Sequence, residues 1–226
     1  MIRIKSLSKS YGDNKVLKEI SLNFKPGEIN GIVGENGAGK TTLFKCLAGL
    51  ETYEGKIEYA AANLKDVTGF LFTNPHMLSR VTGMEYLRLM CNARHVGIDN
   101  IEEKNVFDLP LNRYADAYST GMKKKLALTA ILIQGNEIFI LDEPFNGVDI
   151  HSNALILEVI QKLKELKKVV ILSSHIFSTL DQICDTLHYL KDGKIEVSAL
   201  KGEFEQIEKK MRKSGIGSKV EQLNLS

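Results

Sequence analysis

The sequence predicts an α/β fold built on a mainly parallel sheet with helices on both faces. Three observations predict it. Strand-forming segments open the chain. A glycine-rich loop, Gly34 to Thr42, then sits between an apolar strand and an amphipathic helix. From about residue 120 onward, helical segments alternate with short runs that are apolar throughout. A strand buried on both faces reads as an unbroken apolar run, and parallel neighbours need helical crossovers between them.

The first strands are Arg3–Leu7, Val16–Phe24 and Ile29–Val33, divided by the turn signals Gly12-Asp13-Asn14 and Pro26-Gly27. Leu43, Phe44, Leu47 and Leu50 recur at helical spacing, so a helix runs from Thr41 and ends near Gly49. Strands follow at Lys56–Tyr59 and Gly69–Phe72, and the middle block reads as helical at Met84–Val96 and near Ile101–Leu109. A helix over about 120–134 feeds the apolar strand Ile138–Leu141, and a second, over about 152–166, feeds Val169–Leu172. The charged tail, residues 201–226, reads as a final amphipathic helix with a loose end.

A chain of 226 residues can bury one large core, and 43% apolar with 26% charged residues is the composition of a folded protein. Thirty basic residues against 28 acidic ones give a net charge of +2. That balance lacks the basic excess of a protein held by nucleic-acid phosphates, and no nucleic-acid partner is expected. Apolar runs such as Val169–Leu172 fall far short of the roughly 20 residues a spanning helix needs, so no direct membrane span is expected. The first residues lack the apolar core of a secretory signal. Cys46, Cys91 and Cys184 have no paired spacing, which points to core packing in a reducing cytosol rather than to disulfides or zinc.

Gly34, Gly39, Lys40 and Thr41 satisfy the phosphate-loop pattern G-x-x-x-x-G-K-[ST]. Its glycines let successive backbone N–H groups of Asn36, Gly37, Ala38 and Thr42 turn toward one anion, with the positive end of the following helix aimed there too. Lys40 would reach the β and γ phosphates of ATP, and the Thr41 hydroxyl would take a position on Mg²⁺. A second motif, Ile138 to Pro144, carries a buried strand into two adjacent carboxylates at its C-terminal end, where ligands of open parallel sheets bind. Asp142 would hold Mg²⁺ or its water, and Glu143 would act as general base on the attacking water.

With these motifs in this order, the chain resembles the ATP-binding subunit of an ABC transporter, exporter-type, over essentially residues 1–200. Tyr118-Ser119-Thr120-Gly121-Met122 is similar to the family signature, Asn146 to Asp149 to its D-loop, and Ser173-Ser174-His175 to its switch. Tyr11 stands where the family places an aromatic that stacks on adenine. Ser119 is also a good helix N-cap and Gly121 permits close backbone approach, which makes a second anion site. The resemblance implies a P-loop NTPase fold with a mainly parallel core sheet, an N-terminal antiparallel β subdomain and an inserted helical subdomain. Residues 1–72 and 135–200 would form the catalytic lobe, 73–134 the helical subdomain with the signature, and 201–226 a charged C-terminal helix or tail.

The same resemblance implies a head-to-tail homodimer, or a heterodimer with a related ATPase, burying two MgATP between the loop of one subunit and the signature of the other. His175 would hydrogen-bond the γ-phosphate, and Asp149 would be the D-loop acid. Separate transmembrane permease subunits would dock on the helical subdomain, with Met77, Leu78, Val81 and Met84 as contacts or as core. The subunit would be cytoplasmic, peripheral on the inner face of the cell membrane. Lys123 to Lys125 read as a solvated helix face, with an electrostatic contribution near the partner's ATP as the alternative. The sequence departs from the family at Thr73, which occupies the position of a Gln that touches Mg²⁺; the shorter side chain predicts slower hydrolysis or altered coupling. Competing readings are a soluble ABC-type ATPase, disfavoured by the lack of a coiled-coil insertion or a duplicated cassette, and a P-loop small-molecule kinase. The latter is disfavoured by the scattered arginines Arg80, Arg88, Arg94 and Arg113.

Overall fold

The computed structural model describes residues 1–59, 63–97 and 99–215. Two sheets share its core. In the first, β1 (Ile2–Tyr11) pairs antiparallel with β2 (Asn14–Phe24) on one side and β4 (Glu54–Glu58) on the other. The second has six strands in the order β5 (Thr68–Leu71), β6 (Ile138–Leu141), β7 (Val169–Ser173), β3 (Ile29–Val33), β8 (Thr186–Lys191), β9 (Lys194–Leu200). Its first five strands are parallel and β9 returns antiparallel. The expected α/β class, mainly parallel core and antiparallel N-terminal sheet are all present.

The α-helices among the described residues are α1 (Lys40–Leu47), α2 (Leu64–Val67), α3 (Gly83–Asn92), α4 (Thr120–Ile133), α5 (Ile150–Glu165), α6 (Phe177–Ile183) and α7 (Glu205–Gly215). Alternate residues of the central strands point to opposite faces and so build two layers of core. Ile138, Ile140, Val169 and Ile171 join Leu43 and Phe44 of α1 and the inner face of the first sheet. Phe139, Leu141, Val170 and Leu172 join Leu126 of α4, Ile156 of α5 and Leu180 of α6. Each such side chain, buried in full, contributes about 1.5–3 kcal/mol. Because both faces are covered, the strands can be apolar at every position, as β6 and β7 are through Leu141 and Leu172.

Between β5 and α4 the chain forms the inserted block. A reciprocal capping box starts α3: Glu85 N–H donates to Thr82 Oγ1 at 3.2 Å, and Thr82 N–H donates to Glu85 Oε2 at 2.8 Å. The helix expected near Ile101–Leu109 is not formed. Residues 101–109 run as turns, since Asn105 uses its side-chain amide to donate to Leu109 O (2.9 Å) and to accept from Leu109 N–H (3.1 Å). Asp108 adopts φ 50°, which ends any helical run. The apolar periodicity there is real but serves a coil, with Ile101, Phe107 and Leu109 buried. Helices α2 and α6 and the β8–β9 hairpin are additions to the elements expected from sequence. The charged tail is helical as far as Gly215, and the loose end expected beyond it lies outside the described residues. All three cysteines are buried and free.

Candidate functional site

The site forms where β3, β6 and β7 end side by side, because β7 pairs with both of the others. Beyond β3, Gly34 passes so near β8 that a Cβ would lie 2.2 Å from Leu190 O, so no side chain fits. Gly39, at φ 107°, is the N-cap of α1 and turns the chain into the helix in the left-handed region. Lys40 folds back over this loop, donating to Gly34 O at 2.7 Å and Glu35 O at 3.1 Å. Burial lowers its pKa, opposed by the Glu143 and Asp142 carboxylates it faces. Ala38 is buried against the same loop.

At the end of β6, Asp142 is 2% exposed and accepts from three hydroxyls. Ser173 Oγ donates to its Oδ1 at 2.7 Å. Thr41 Oγ1 and Thr73 Oγ1 both donate to its Oδ2, at 2.7 and 2.8 Å. Glu143 follows at φ 53°, a strained conformation for a side chain before proline, with its N–H donating to Ser173 Oγ at 3.0 Å. His175 lies beyond β7. Its Nε2 is 3.1 Å from Glu143 Oε1, and its backbone N–H donates to Oε2 at 3.3 Å. Burial pushes the Glu143 carboxyl above its ordinary value, with His175 and Lys40 pulling it back. Glu143 Oε1 is a buried acceptor with no aligned donor among the described residues.

Asn36, Gly37, Gly39, Lys40, Thr41, Thr42, Thr73, Asp142, Glu143 and His175 thus line one cavity of about 260 Å³. The cavity brings the Lys40 ammonium and the glycine loop together with the Asp142 and Glu143 carboxylates and the threonine hydroxyls on Asp142. The oxygens of Thr41, Thr73 and Asp142 suit a hard cation. Among the described residues no group of three His, Cys, Asp or Glu side chains could hold a metal unaided, so Mg²⁺ here would need phosphate oxygens and water to fill its shell. Tyr11, 45% exposed at the end of β1, stands nearby: its phenol contacts Glu51 and Thr42, and Lys9 Nζ sits 4.7 Å from its ring centroid.

Ser119, Gly121 and Asp149 are not in this cavity. Ser119 caps α4, accepting from Met122 N–H at 3.2 Å. Asp149 caps α5, accepting from Ser152 N–H at 2.9 Å and Ser152 Oγ at 2.7 Å, which with Lys125 holds its carboxyl well below the usual carboxylate range. A Cβ on Gly121 would lie 2.6 Å from Gly147 O, so the start of α4 packs flush on the segment before α5. The solvated reading of Lys123 to Lys125 fails for Lys124, which is 1% exposed with its Nζ on backbone carbonyls. Helix packing selects which of three adjacent lysines turns inward, and the sequence carries no mark of it. Val16 of β2 and Ser173, the first residue of the switch triplet, also take part in the site, although the sequence assigns neither a role there. Ser173 had a signal, since a hydroxyl ending an apolar strand beside a carboxylate-bearing strand needs a polar partner.

The four residues expected as docking contacts or as core divide. Met77 is buried in the core, Val81 and Met84 pack against it, and Leu78 is 45% exposed. Beside them Phe70, Phe72, Pro75, Tyr86 and Met90 line an apolar groove of about 250 Å³. No helix among the described residues is long and apolar enough to cross a membrane.

The family model described as "ABC transporter" matches residues 17–146. The lantibiotic transport ATP-binding protein SrtF of Streptococcus pyogenes is 28% identical, covering 86% of this chain and 89% of its own. The ABC transporter ATP-binding protein NatA of Bacillus subtilis is 33% identical, covering 86% and 87%. A solved dimeric ATP-binding cassette, MJ0796, in a post-hydrolysis state with ADP and Pi, superposes with a TM-score of 0.80 at 22% identity over 90% of this chain and all of that one.

Proposed function

From the premise that this chain belongs to the ABC transporter family of ATP-binding proteins, we propose that it is the ATP-hydrolysing subunit that powers export through separate transmembrane permease subunits. The observation that carries the reading is the convergence of Lys40, Thr41, Asp142, Glu143 and His175 on one cavity. In it, the backbone N–H groups of residues 36–42 and the Lys40 ammonium bind the phosphates, and Tyr11 stacks on adenine beside Val16. Thr41, Asp142 and Thr73, directly or through water, would hold Mg²⁺, which neutralises phosphate charge when bound.

Glu143 Oε1 accepts a proton from the water that attacks the γ-phosphorus. Its elevated pKa makes it a stronger base than an ordinary carboxylate. His175 orients the carboxylate through its backbone N–H on Oε2, and its ring, 3.1 Å from Oε1, donates to the γ-phosphate. As the new phosphorus–oxygen bond forms, the bond from the γ-phosphorus to the β–γ bridging oxygen breaks, and ADP departs with that electron pair. Glu143 passes its proton to the product phosphate, and the two anions repel one another and leave.

Ser119 and Gly121, outside this cavity, complete the site of a second subunit, so two copies or close relatives pair head to tail with Asp149 and its neighbours at the seam. The dimeric cassette with the same fold supports that arrangement. Residues 1–72 and 135–200 act as the catalytic lobe and 73–134 as the helical subdomain. The groove at Phe70, Phe72 and Tyr86 receives a segment of the permease. That docking makes the subunit peripheral on the inner face of the membrane. The lantibiotic transport relative supports transport as the task. The test is reconstitution with a transmembrane permease that co-purifies with the chain from membranes, measuring MgATP-dependent transport. Unchanged transport on replacing Glu143 with Gln would overturn the reading.

A further inference from the structure

Lys124 is buried more deeply than either Lys9 or Lys40, at 1% exposure against 8% for each. Its Nζ donates to Glu143 O at 2.6 Å and to Asn146 O at 2.7 Å. Burying an ammonium is costly, and an apolar side chain would fill this helix position without that cost. What the ammonium offers instead is a grip on backbone. The peptide around Glu143 needs one, because Glu143 is held at φ 53° immediately before Pro144, where sterics oppose it. Ser173 Oγ holds its N–H and Lys124 holds its carbonyl, so both ends of the strained residue are pinned.

The grip extends along one face. Gly121 lies against Gly147 O, and Lys125 Nζ reaches Ser152 Oγ at 2.9 Å and Asp149 Oδ2 at 3.4 Å. The first turns of α4, which carry Ser119, therefore ride on the same segment that carries Glu143.

We propose that Lys124 is a positioning residue: by binding the carbonyls of Glu143 and Asn146 it fixes the direction in which the Glu143 carboxylate enters the cavity, and it ties that carboxylate to the Ser119 helix start. The inference rests on the function proposed above. Under that function Glu143 serves one nucleotide and Ser119 another, so Lys124 joins the two positions within one chain.

The experiment compares the full chain with Lys124→Met and Lys124→Gln. It measures kcat and KM for MgATP, the affinity for a fluorescent (mant) ATP, and thermal unfolding by circular dichroism. Displacing a base by a fraction of an ångström to an ångström costs about 10–100-fold in rate, so Lys124→Met should lower kcat by that factor. KM and mant-ATP affinity should stay within about twofold, since the phosphate loop is untouched. Lys124→Gln keeps N–H donors and should recover part of the lost kcat. A purely structural lysine would instead lower kcat, affinity and melting temperature together with no recovery by Gln; that result, or an unchanged kcat in Lys124→Met, overturns the proposal. If the Met variant does not fold, the Gln variant decides alone: reduced kcat at kept affinity supports the clamp, and wild-type kcat rejects it. A wild-type chain that neither binds mant-ATP nor hydrolyses ATP sinks the parent reading and the clamp with it, whereas an active wild type with an indifferent Lys124 sinks only the clamp.

Discussion

Thr73 Oγ1 donates to Asp142 Oδ2 at 2.8 Å, on the same carboxylate oxygen that Thr41 Oγ1 engages at 2.7 Å. The hydroxyl is thus bound into the network on Asp142, and the side chain carries no amide that could reach further into the cavity. Thr73→Gln supplies that amide. In the permease-bound assembly it should raise kcat for ATP by about three- to tenfold, the worth of one added hydrogen bond of roughly 1 kcal/mol. Steady-state ATPase rates decide it, and equal rates would retire the idea that Thr73 slows the enzyme.

Glu143→Gln keeps the shape of the side chain and removes its basicity. The rate should fall by about 10²-fold or more while ATP still binds, so that nucleotide accumulates unhydrolysed. Gel filtration under saturating MgATP should then show a dimer. A monomer at high protein concentration would count against head-to-tail pairing.

The buried Glu143 carboxyl has a raised pKa, which fixes two signs. As a base it works only when ionised, so kcat/KM, which reports the free enzyme, should decline with falling pH through a midpoint above the ordinary glutamate value of about 4.3. His175 is the largest of the groups holding that pKa down, so His175→Ala should move the midpoint of the residual activity to higher pH. For stability, the folded state binds this proton more tightly than the unfolded chain, so the carboxyl destabilises the fold above its folded pKa and the penalty fades as pH falls. Glu143→Gln should accordingly raise the melting temperature at pH 7 and lose that advantage in acid. A variant less stable than wild type at pH 7 would contradict the assignment.

Gly34 belongs to the phosphate loop, yet its own constraint is steric, since an added Cβ would meet Leu190 O at 2.2 Å. Backbone of a central strand cannot retreat as a flexible side chain can. Gly34→Ala should therefore cost about 1–3 kcal/mol in urea denaturation without nucleotide present. Gly37 has open space at its Cβ but φ 86°, so Gly37→Ala should cost about 1 kcal/mol from backbone strain alone.

The parts of the site that were legible in sequence are those whose chemistry occupies contiguous residues. Lys40 and Thr41 must follow Gly39 at a helix start, and Asp142 and Glu143 must end an apolar strand, so the spacing itself states the geometry. The illegible parts depend on what packs where. Residues 101–109 carry helix-like apolar spacing but spend Asn105 on the Leu109 backbone instead. The β8–β9 hairpin had a usable signal in Asp192-Gly193, whose φ values of 47° and 79° fit a tight primed turn between alternating strands. Lys124 had none, because only the approach of α4 to Glu143 distinguishes it from Lys123 and Lys125.

Tyr11 offers the last and most separable prediction. Its ring is half-exposed, Lys9 Nζ sits 4.7 Å from its centroid, and Glu51 engages both Lys9, at 3.0 Å, and the Tyr11 phenol. The lysine and the carboxylate fix the ring and leave a free face on which a base can stack. An aromatic–base stack is worth about 1–3 kcal/mol, so Tyr11→Ala should weaken ATP binding by roughly 5- to 150-fold. Tyr11→Trp should keep it, since stacking needs a π face and no hydroxyl. The triphosphate contacts are untouched, so inorganic tripolyphosphate should compete equally well for wild type and Tyr11→Ala. Competition titrations with mant-ATP measure all three. If Tyr11→Ala binds ATP as the wild type does, adenine is held elsewhere and the Lys9–Glu51 pair is only a brace between β1 and the end of α1.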